Sequence, residues 1–402
     1  MDEQMERPPG RQREGNKPRL LSPELSRRLR RKLPPIVLVS VVVAMSAFLW
    51  TVNPVGGFSE PIAITLLVAW LVLFLSARVA HEFGLFAPFE YREAVTLEER
   101  GRLQEAERAY GRSIGRLRRR RTKNSSDWLR HCLVRRCYVL RELGRLPEAL
   151  ALADELVAVC EGRDDVGSTI FAGVGRTARA EILMGLGDSR GRQAFEDVFA
   201  RYADHPEPAV RQVAAFAINK LGLWLDRSGD YDGAIANYDL AIYRFASESD
   251  PDIRCAVAEA IVNRGSAIRS TGRTLEAVSD HERVIGTYAD DAKASSTVAR
   301  AKTELGMTLM DLGRLSEALE RFNEVVAFGS NDPGSTNDLL LAQALCCKGL
   351  ALTQLGRPKE ALAVYETVIA TFVQYEAPAA VLFAREKVAI LRGDGMGSGL
   401  AG

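Results

Sequence analysis

Cysteine, histidine and one glycine-rich segment are the parts of this sequence best suited to catalysis or cofactor binding. The segment Gly173–Ala178 reads GVGRTA and matches the glycine spacing of dinucleotide-binding loops. That motif works only after a β-strand and beside a parallel sheet, whereas the surrounding pattern here favours a helix. The phosphate-binding patterns GxxxxGKS and GxxxxGKT do not occur in the chain. The sequence therefore gives no support to nucleotide chemistry.

The histidines and cysteines show no spacing typical of a metal site. The four histidines lie far apart: His81, His131, His205 and His281. The six cysteines contain no CxxC pair: Cys132, Cys137, Cys160, Cys255, Cys346 and Cys347. Most of them lie in apolar helical stretches, where a thiol behaves as a small buried apolar group. We therefore predict reduced cysteines, no metal, no cofactor and no enzymatic activity.

Two apolar segments near the start of the chain predict a membrane hairpin. Residues 36–52 carry no charge, and residues 62–80 carry only Arg78, close to the end of the segment. Each segment is near the roughly 20 residues that a transmembrane helix needs. The linker Asn53–Pro61 (NPVGGFSEP) is rich in proline and glycine and reads as a tight turn. We therefore expect two transmembrane helices joined by this turn.

The charges around these segments predict an orientation. The run Arg27–Lys32 (RRLRRK) precedes the first segment, whereas Glu60 is the only charge of the turn. By the positive-inside rule, the chain is expected to be a multi-pass protein of the cell (inner) membrane with cytoplasmic N- and C-termini. The basic flanks additionally predict contact with anionic lipids. A signal peptide and two buried helices of a soluble domain remain alternatives.

A six-residue phrase recurs through the rest of the chain. It reads GRLQEA, GRLPEA, GDYDGA, GRTLEA, GRLSEA and GRPKEA, beginning at Gly101, Gly144, Gly229, Gly272, Gly313 and Gly356. A degenerate copy begins at Gly187, and successive glycines lie 41 to 43 residues apart. Self-similarity at such a period is the mark of a repeat protein, in which stacked units share a continuous core.

Each position of the phrase predicts a structural role. The glycine is expected to end one helix with a positive φ, after which the chain turns and begins a second helix. A small residue on the second helix would let two helices approach closely: Ala106, Ala149, Ala234, Ala277, Ala318 and Ala361. An aromatic follows four residues later in four units: Tyr110, Tyr238, Phe322 and Tyr365. An aliphatic precedes the turn: Leu140, Leu225, Ile268, Leu309 and Leu352. We interpret all of these as core positions.

These residues resemble the tetratricopeptide repeat family, in which the turn glycine, the second-helix alanine and the following aromatic are signature positions. Gly222, Gly265, Gly306 and Gly349 also fit that family's small residue on the first helix. The resemblance implies an all-α fold, a right-handed α-solenoid of about six to seven helix pairs. The period of about 42 exceeds the family's usual 34 and is closer to HEAT and armadillo repeats, which remain the alternative.

The predicted organisation has five parts. They are a basic cytoplasmic N-terminal tail at 1–33, two transmembrane helices within 34–80 (36–52 and 62–80), the repeat array at 88–376, a capping helix at 377–392 and a flexible tail at 393–402. The resemblance implies a membrane-anchored scaffold or adaptor that binds protein partners on the cytoplasmic face. A regulatory or signalling subunit and a self-assembling structural protein, which would be a homo-oligomer, are the alternatives. No nucleic-acid partner is expected, because no aromatic residues interleave with the basic run Arg118–Ser126.

Candidate partner-binding residues lie on the first helices, which in the resembled family line the concave face. They are Asn219, Lys220, Asn263, Arg264, Glu304 and Lys348. Asn263 and Arg264 match an asparagine and a basic position of peptide-binding members. The neighbouring units place Lys220, Glu304 and Cys347 there, so a clamp for a C-terminal carboxylate is not supported.

Overall fold

The computed structural model describes residues 88–119, 123–329, 338–372 and 378–392, and these residues form α-helices without a β-strand among them. The all-helical prediction is therefore confirmed for this part of the chain. The predicted basic tail 1–33, the predicted spans 36–52 and 62–80, and the predicted tail 393–402 lie outside the described residues.

The predicted location in the cell (inner) membrane as a multi-pass protein is contradicted. No helix within the described ranges is long and apolar enough to cross a bilayer. The physical reason is that a span needs about 20 predominantly apolar residues, whereas even Val166–Gly185, the most apolar of the described 20-residue helices, carries Arg176, Arg179 and Glu181.

The described helices divide into two compact units. The first, within Lys17–Gly162, contains α1 (Phe89–Glu99), α2 (Leu103–Arg119), α3 (Lys123–Glu142) and α4 (Leu146–Cys160). The second, from Arg163 onward, contains α5 (Val166–Gly185), α6 (Arg190–Tyr202), α7 (Pro208–Arg227), α8 (Tyr231–Phe245), α9 (Pro251–Ser270), α10 (Thr274–Thr287), α11 (Ser295–Asp311), α12 (Leu315–Gly329), α13 (Asp338–Gln354), α14 (Pro358–Phe372) and α15 (Pro378–Arg392).

Glycines of the recurring phrase end the odd-numbered helices α1 to α13. All seven have a positive φ, between 71° and 84°, as the sequence predicted. At Gly313 the backbone N–H donates to the carbonyl of Met310 (2.9 Å), and the N–H of Arg314 donates to the carbonyl of Leu309 (2.9 Å). This pair of bonds satisfies carbonyls that the end of α11 would otherwise leave free. Each turn thus joins a first helix to a second helix.

The second helices begin with a repeated side-chain contact. Arg314, just before α12, binds Glu317 through Nε (2.7 Å to Oε1) and Nη2 (2.6 Å to Oε2). The same bidentate pair forms in four other units: Arg102–Glu105, Arg145–Glu148, Arg273–Glu276 and Arg357–Glu360. Because these pairs are exposed, they direct the turn more than they stabilise the fold.

The two helices of a pair touch at a glycine. A Cβ added to Gly306 on α11 would lie 2.5 Å from Cε1 of Phe322 on α12, and one added to Gly222 would lie 2.6 Å from Cε1 of Tyr238. Gly349 meets Tyr365 in the same way, and Gly265 meets His281. The six alanines of the recurring phrase are fully buried (0 % exposed) at these interfaces. The predicted close packing of small residues against rings is confirmed.

The second unit stacks these pairs in chain order. Each second helix packs against the first helices before and after it, as α8 does against α7 and α9. The first helices also contact one another, from α5 to α7 and onward to α15. The first helices therefore form a closely spaced layer, and α15 occupies the segment where a capping helix was predicted.

Candidate protein-binding surface

The layer of first helices α5, α7, α9, α11 and α13 presents one continuous surface, called here the first-helix surface. Five of the six predicted partner-binding residues make polar contacts, four of them between neighbouring first helices. These contacts form a row across the surface. At one end of the row, Lys220 Nζ on α7 lies 3.5 Å from Glu181 Oε1 on α5. The same ammonium lies 5.1 Å from the ring centroid of Phe216, a cation–π geometry.

Asn219 serves the packing between α7 and α9. Its side chain is buried (6 % exposed), and Nδ2 donates to the carbonyl of Ala256 on α9 (2.8 Å). A buried amide with such a bond fixes the register of two helices. Asn219 therefore holds neighbouring pairs together, and its part in partner binding stays a prediction.

Asn263 and Arg264 lie side by side on α9 but face different neighbours. Asn263 Oδ1 accepts a hydrogen bond from Arg300 Nη1 on α11 (2.9 Å). Arg264 faces the second helices instead, where it binds Asp280 on α10 and Asp239 on α8. The adjacent pair that the sequence marked as one feature is thus divided between two surfaces.

Glu304 on α11 continues the row toward the C-terminus. Its Oε2 lies 3.6 Å from Nη2 of Arg269 on α9, and both side chains are largely buried. Arg269 also reaches Asp311, with 3.4 Å between Nη1 and Oδ2. The row of contacts from Glu181 to Asp311 ties four successive first helices together. Charged side chains join α5 to α7 and α9 to α11, and the Asn219 amide joins α7 to α9.

Half-buried apolar side chains accompany this polar row, and sequence reasoning missed them. The residue directly after the close-packing glycine is Leu223 on α7, Met307 on α11 and Leu350 on α13, and all three are partly exposed. Because each of them directly follows the close-packing glycine, the spacing of the repeats could have identified them. The first-helix surface therefore alternates charged pairs with apolar side chains, the mixture typical of protein interfaces.

Lys348 on α13 lines a surface cavity of about 330 Å³ between α12, α13 and α14. We call it the Lys348 cavity. Its lining residues are Leu319, Asn323, Lys348, Leu352, Arg357, Glu360, Ala363 and Val364. Leucine, alanine and valine side chains line it together with the polar side chains of Asn323, Lys348, Arg357 and Glu360. A pocket of this kind can hold an apolar side chain that carries a polar group beside it.

The GVGRTA segment, four of the six cysteines and His281 lie in the core. The GVGRTA segment is part of α5, and a Cβ on Gly173 would lie 2.6 Å from Cγ1 of Val213. Cys132 and Cys137 are buried, and burial raises the pKa of each thiol, to about 11 and about 12. Such thiols are unreactive at neutral pH. No group of three metal-ligating side chains occurs within the described ranges.

No family model matches the sequence, and no curated protein matches it significantly. Among solved structures, BtubC from P. vanneervenii is 18% identical, with 62% of this chain and 92% of that chain covered and a TM-score of 0.47. A tetratricopeptide repeat protein from Parabacteroides merdae is 12% identical, with 74% and 97% covered and a TM-score of 0.44. The quorum sensor NprR from B. thuringiensis is 14% identical, with 75% and 79% covered and a TM-score of 0.46. Matches at this level assign no function.

Proposed function

We propose that the protein is a scaffold or adaptor that binds a segment of a protein partner on its first-helix surface. The observation that carries the proposal is the side-by-side packing of first helices from α5 to α13. Helices that are more closely spaced on one side of a stack line its concave face, and such faces are extended binding surfaces.

The composition of the surface supports a protein ligand. Leu223, Met307 and Leu350 offer partly exposed apolar contacts, which supply most of the free energy of protein association. The ion pairs around Lys220 and Arg269 lie between them, where they would discriminate among partners. A peptide or helix laid across the layer would meet both kinds of contact along its length.

Photo-crosslinking tests the proposal. A photoreactive phenylalanine analogue is placed at Met307 or Leu223 on the first-helix surface, and at Tyr243 on α8 as a control. Tyr243 is 86 % exposed and lies on a second helix. Irradiation of extracts from the native cell should give discrete adducts from Met307 and Leu223. Equal labelling from all three sites, or adducts from Tyr243 alone, would contradict a first-helix binding surface.

A further inference from the structure

One register position, the residue just before the close-packing glycine, differs from unit to unit in an informative way. Leu221 on α7 and Leu305 on α11 occupy it in two units of the second compact unit, and both are buried. Arg264 on α9 and Lys348 on α13 occupy it in the units that follow each of them. In the four units of α7, α9, α11 and α13, the same place between three helices is therefore filled by leucine twice and by a cation twice.

The carboxylates that bind Arg264 come from the neighbouring second helices of the same chain. Nε of Arg264 lies 2.8 Å from Oδ2 of Asp280, and Nη2 lies 2.5 Å from Oδ1. Nη1 binds Asp239 on the preceding second helix. These bonds raise the pKa of Arg264, with the hydrogen bond to Asp280 as the largest cause. A half-buried cation at this position is thus held by two carboxylates.

The first compact unit also has a carboxylate-bound cation at this register position. Arg136 on α3 stands just before Cys137, which takes the place of the close-packing glycine. Its Nε and Nη2 lie 3.0 Å and 2.6 Å from Oε1 of Glu107 on α2. A cation here is again bound by a carboxylate from the preceding second helix.

Lys348 has no counterpart of either carboxylate that binds Arg264. The residue equivalent to Asp239 is Asn323 on α12, and the residue equivalent to Asp280 is Val364 on α14. Both line the Lys348 cavity. Within the described ranges Lys348 forms no ion pair, so an ammonium group stands in a partly apolar pocket without the counter-charge that Arg264 has.

Glu360 does not take the place of the two carboxylates that Lys348 lacks. It is bound by Arg357 through two contacts of 2.7 Å, and its pKa is lowered first by that hydrogen bond and last by the charge of Lys348. The equivalent Glu276 is bound by Arg273 in the same way beside Arg264. The Arg264 site uses two further carboxylates in addition to that glutamate.

We propose that the Lys348 cavity is a binding site for a carboxylate of a partner protein, carried next to an apolar side chain. The carboxylate takes the place that Asp239 and Asp280 fill at Arg264, and binds Lys348 with help from the Asn323 amide. The apolar side chain lies against Leu319, Leu352 and Val364. This inference rests on the proposed function in that its ligand is a segment of a protein partner, although the cavity lies among α12, α13 and α14 and not on the first-helix surface. A charged hydrogen bond in a partly apolar pocket is stronger than one in open solvent.

The test uses the full chain and fluorescein-labelled octapeptide pools. One amidated pool has Leu-Glu at its centre, a second has Leu-Gln, and a third has no acidic side chain but ends in leucine with a free carboxylate. Two variants close the site by copying other units. Lys348→Leu reproduces Leu221, and the double variant Asn323→Asp/Val364→Asp reproduces the Arg264 site. Lys359→Leu, an exposed charge outside the cavity lining, is the matched control.

We expect at least one carboxylate pool to bind the unaltered chain and Lys359→Leu about tenfold more tightly than the Leu-Gln pool. The third pool shows whether a terminal carboxylate serves as well as a side chain. Lys348→Leu and the double variant should lose that preference while keeping the thermal midpoint of unfolding. Both variants copy arrangements that already fold in this chain, so a loss of binding would not reflect unfolding.

Four results would overturn the inference. Equal binding of all three pools would show that the array docks peptides without this site, and would leave the proposed function intact. Retention of the preference by Lys348→Leu would place the carboxylate elsewhere. Binding that appears only after removal of residues 393–402 would make the occupant a segment of this chain and not a partner. An absence of binding by every pool contradicts the inference, and the crosslinking experiment decides separately on the proposed function.

Discussion

At the scale of single residues, the ring that packs against the close-packing glycine is different in one of four units. Tyr238, Phe322 and Tyr365 fill this position in their units, whereas the unit of α9 and α10 has His281. His281 is fully buried, and neither ring nitrogen has a hydrogen-bond partner within the described part of the chain. Burial, and then Arg269 and Arg300, lower its pKa to about 3.

This histidine predicts an acid-sensitive stability. The folded chain keeps His281 neutral down to about pH 3, whereas the unfolded chain binds a proton below its ordinary pKa of about 6.5. Stability from the neutral ring is therefore complete above pH 6.5 and is lost as the pH falls. We expect His281→Phe to exceed the parent chain in free energy of unfolding by about 2 kcal/mol more at pH 5 than at pH 7.5.

Denaturant unfolding at the two pH values measures this difference. His131 on α3 is partly buried, and desolvation lowers its pKa to about 4. Both chains keep that contribution, so only the difference between them reports on His281. A difference between parent and variant that does not change with pH would show that His281 is protonated equally in the folded and unfolded chain.

Gly306 gives a second residue-scale prediction. Alanine favours a helix over glycine by about 1 kcal/mol, but here its Cβ would lie 2.5 Å from Cε1 of Phe322, a fully buried ring. Overpacking of this kind costs about 1–3 kcal/mol, so Gly306→Ala should lower the stability. Gly286→Ala on α10 is the control, because nothing lies within 4 Å of its Cβ. It should be neutral or stabilise by about 0.5 kcal/mol, and a loss equal to that of Gly306→Ala would argue against the close contact.

At the scale of the helices, the start of α8 differs from the five second helices that begin with the arginine–glutamate pair. Its phrase GDYDGA lacks the arginine–glutamate pair, and Asp230 caps the helix instead. Asp230 Oδ1 accepts a hydrogen bond from the backbone N–H of Gly233 (3.0 Å), and its negative charge lies at the positive end of the helix dipole. One helix start is thus built in two chemically different ways within the same array.

Replacement of Asp230 should lower the free energy of unfolding, although the residue is exposed. Asp230→Ala leaves an N–H of the first turn without its acceptor, and we expect a loss of about 1 kcal/mol in the free energy of unfolding. Asp230→Asn keeps an acceptor at the cap and should retain most of the stability. Thermal unfolding of the two variants makes the comparison, and equal losses would mean that the charge of Asp230 matters and its hydrogen bond does not.

At the scale of the whole molecule, the sequence predicted the features that the repeats share. It did not predict the contacts that differ between repeats. Gly313 and Ala318 could be assigned roles because backbone conformation and close packing leave few residue types at those positions. The partners of Arg264 could not, because they lie on two other helices and are not part of the recurring phrase. For the same reason Asn263 and Arg264 were read as one feature although they face different neighbours. The handedness of the array and the resemblance to tetratricopeptide repeats stay predictions.

The division into two compact units predicts that residues 163–402 fold without the rest of the chain. The core around Tyr238 and Phe245 draws its buried members from Ala180 to Ala301, all within this unit, and stacked repeats obtain their stability from neighbouring pairs. We expect the fragment 163–402 to unfold cooperatively, within a few degrees of the corresponding transition in the full chain. A fragment that begins at residue 190 lacks α5 and with it Ala180 and Met184 of that core, so its transition should shift to lower temperature. Circular dichroism during heating follows both fragments, and a fragment 163–402 that is unfolded at room temperature would contradict an independent second unit.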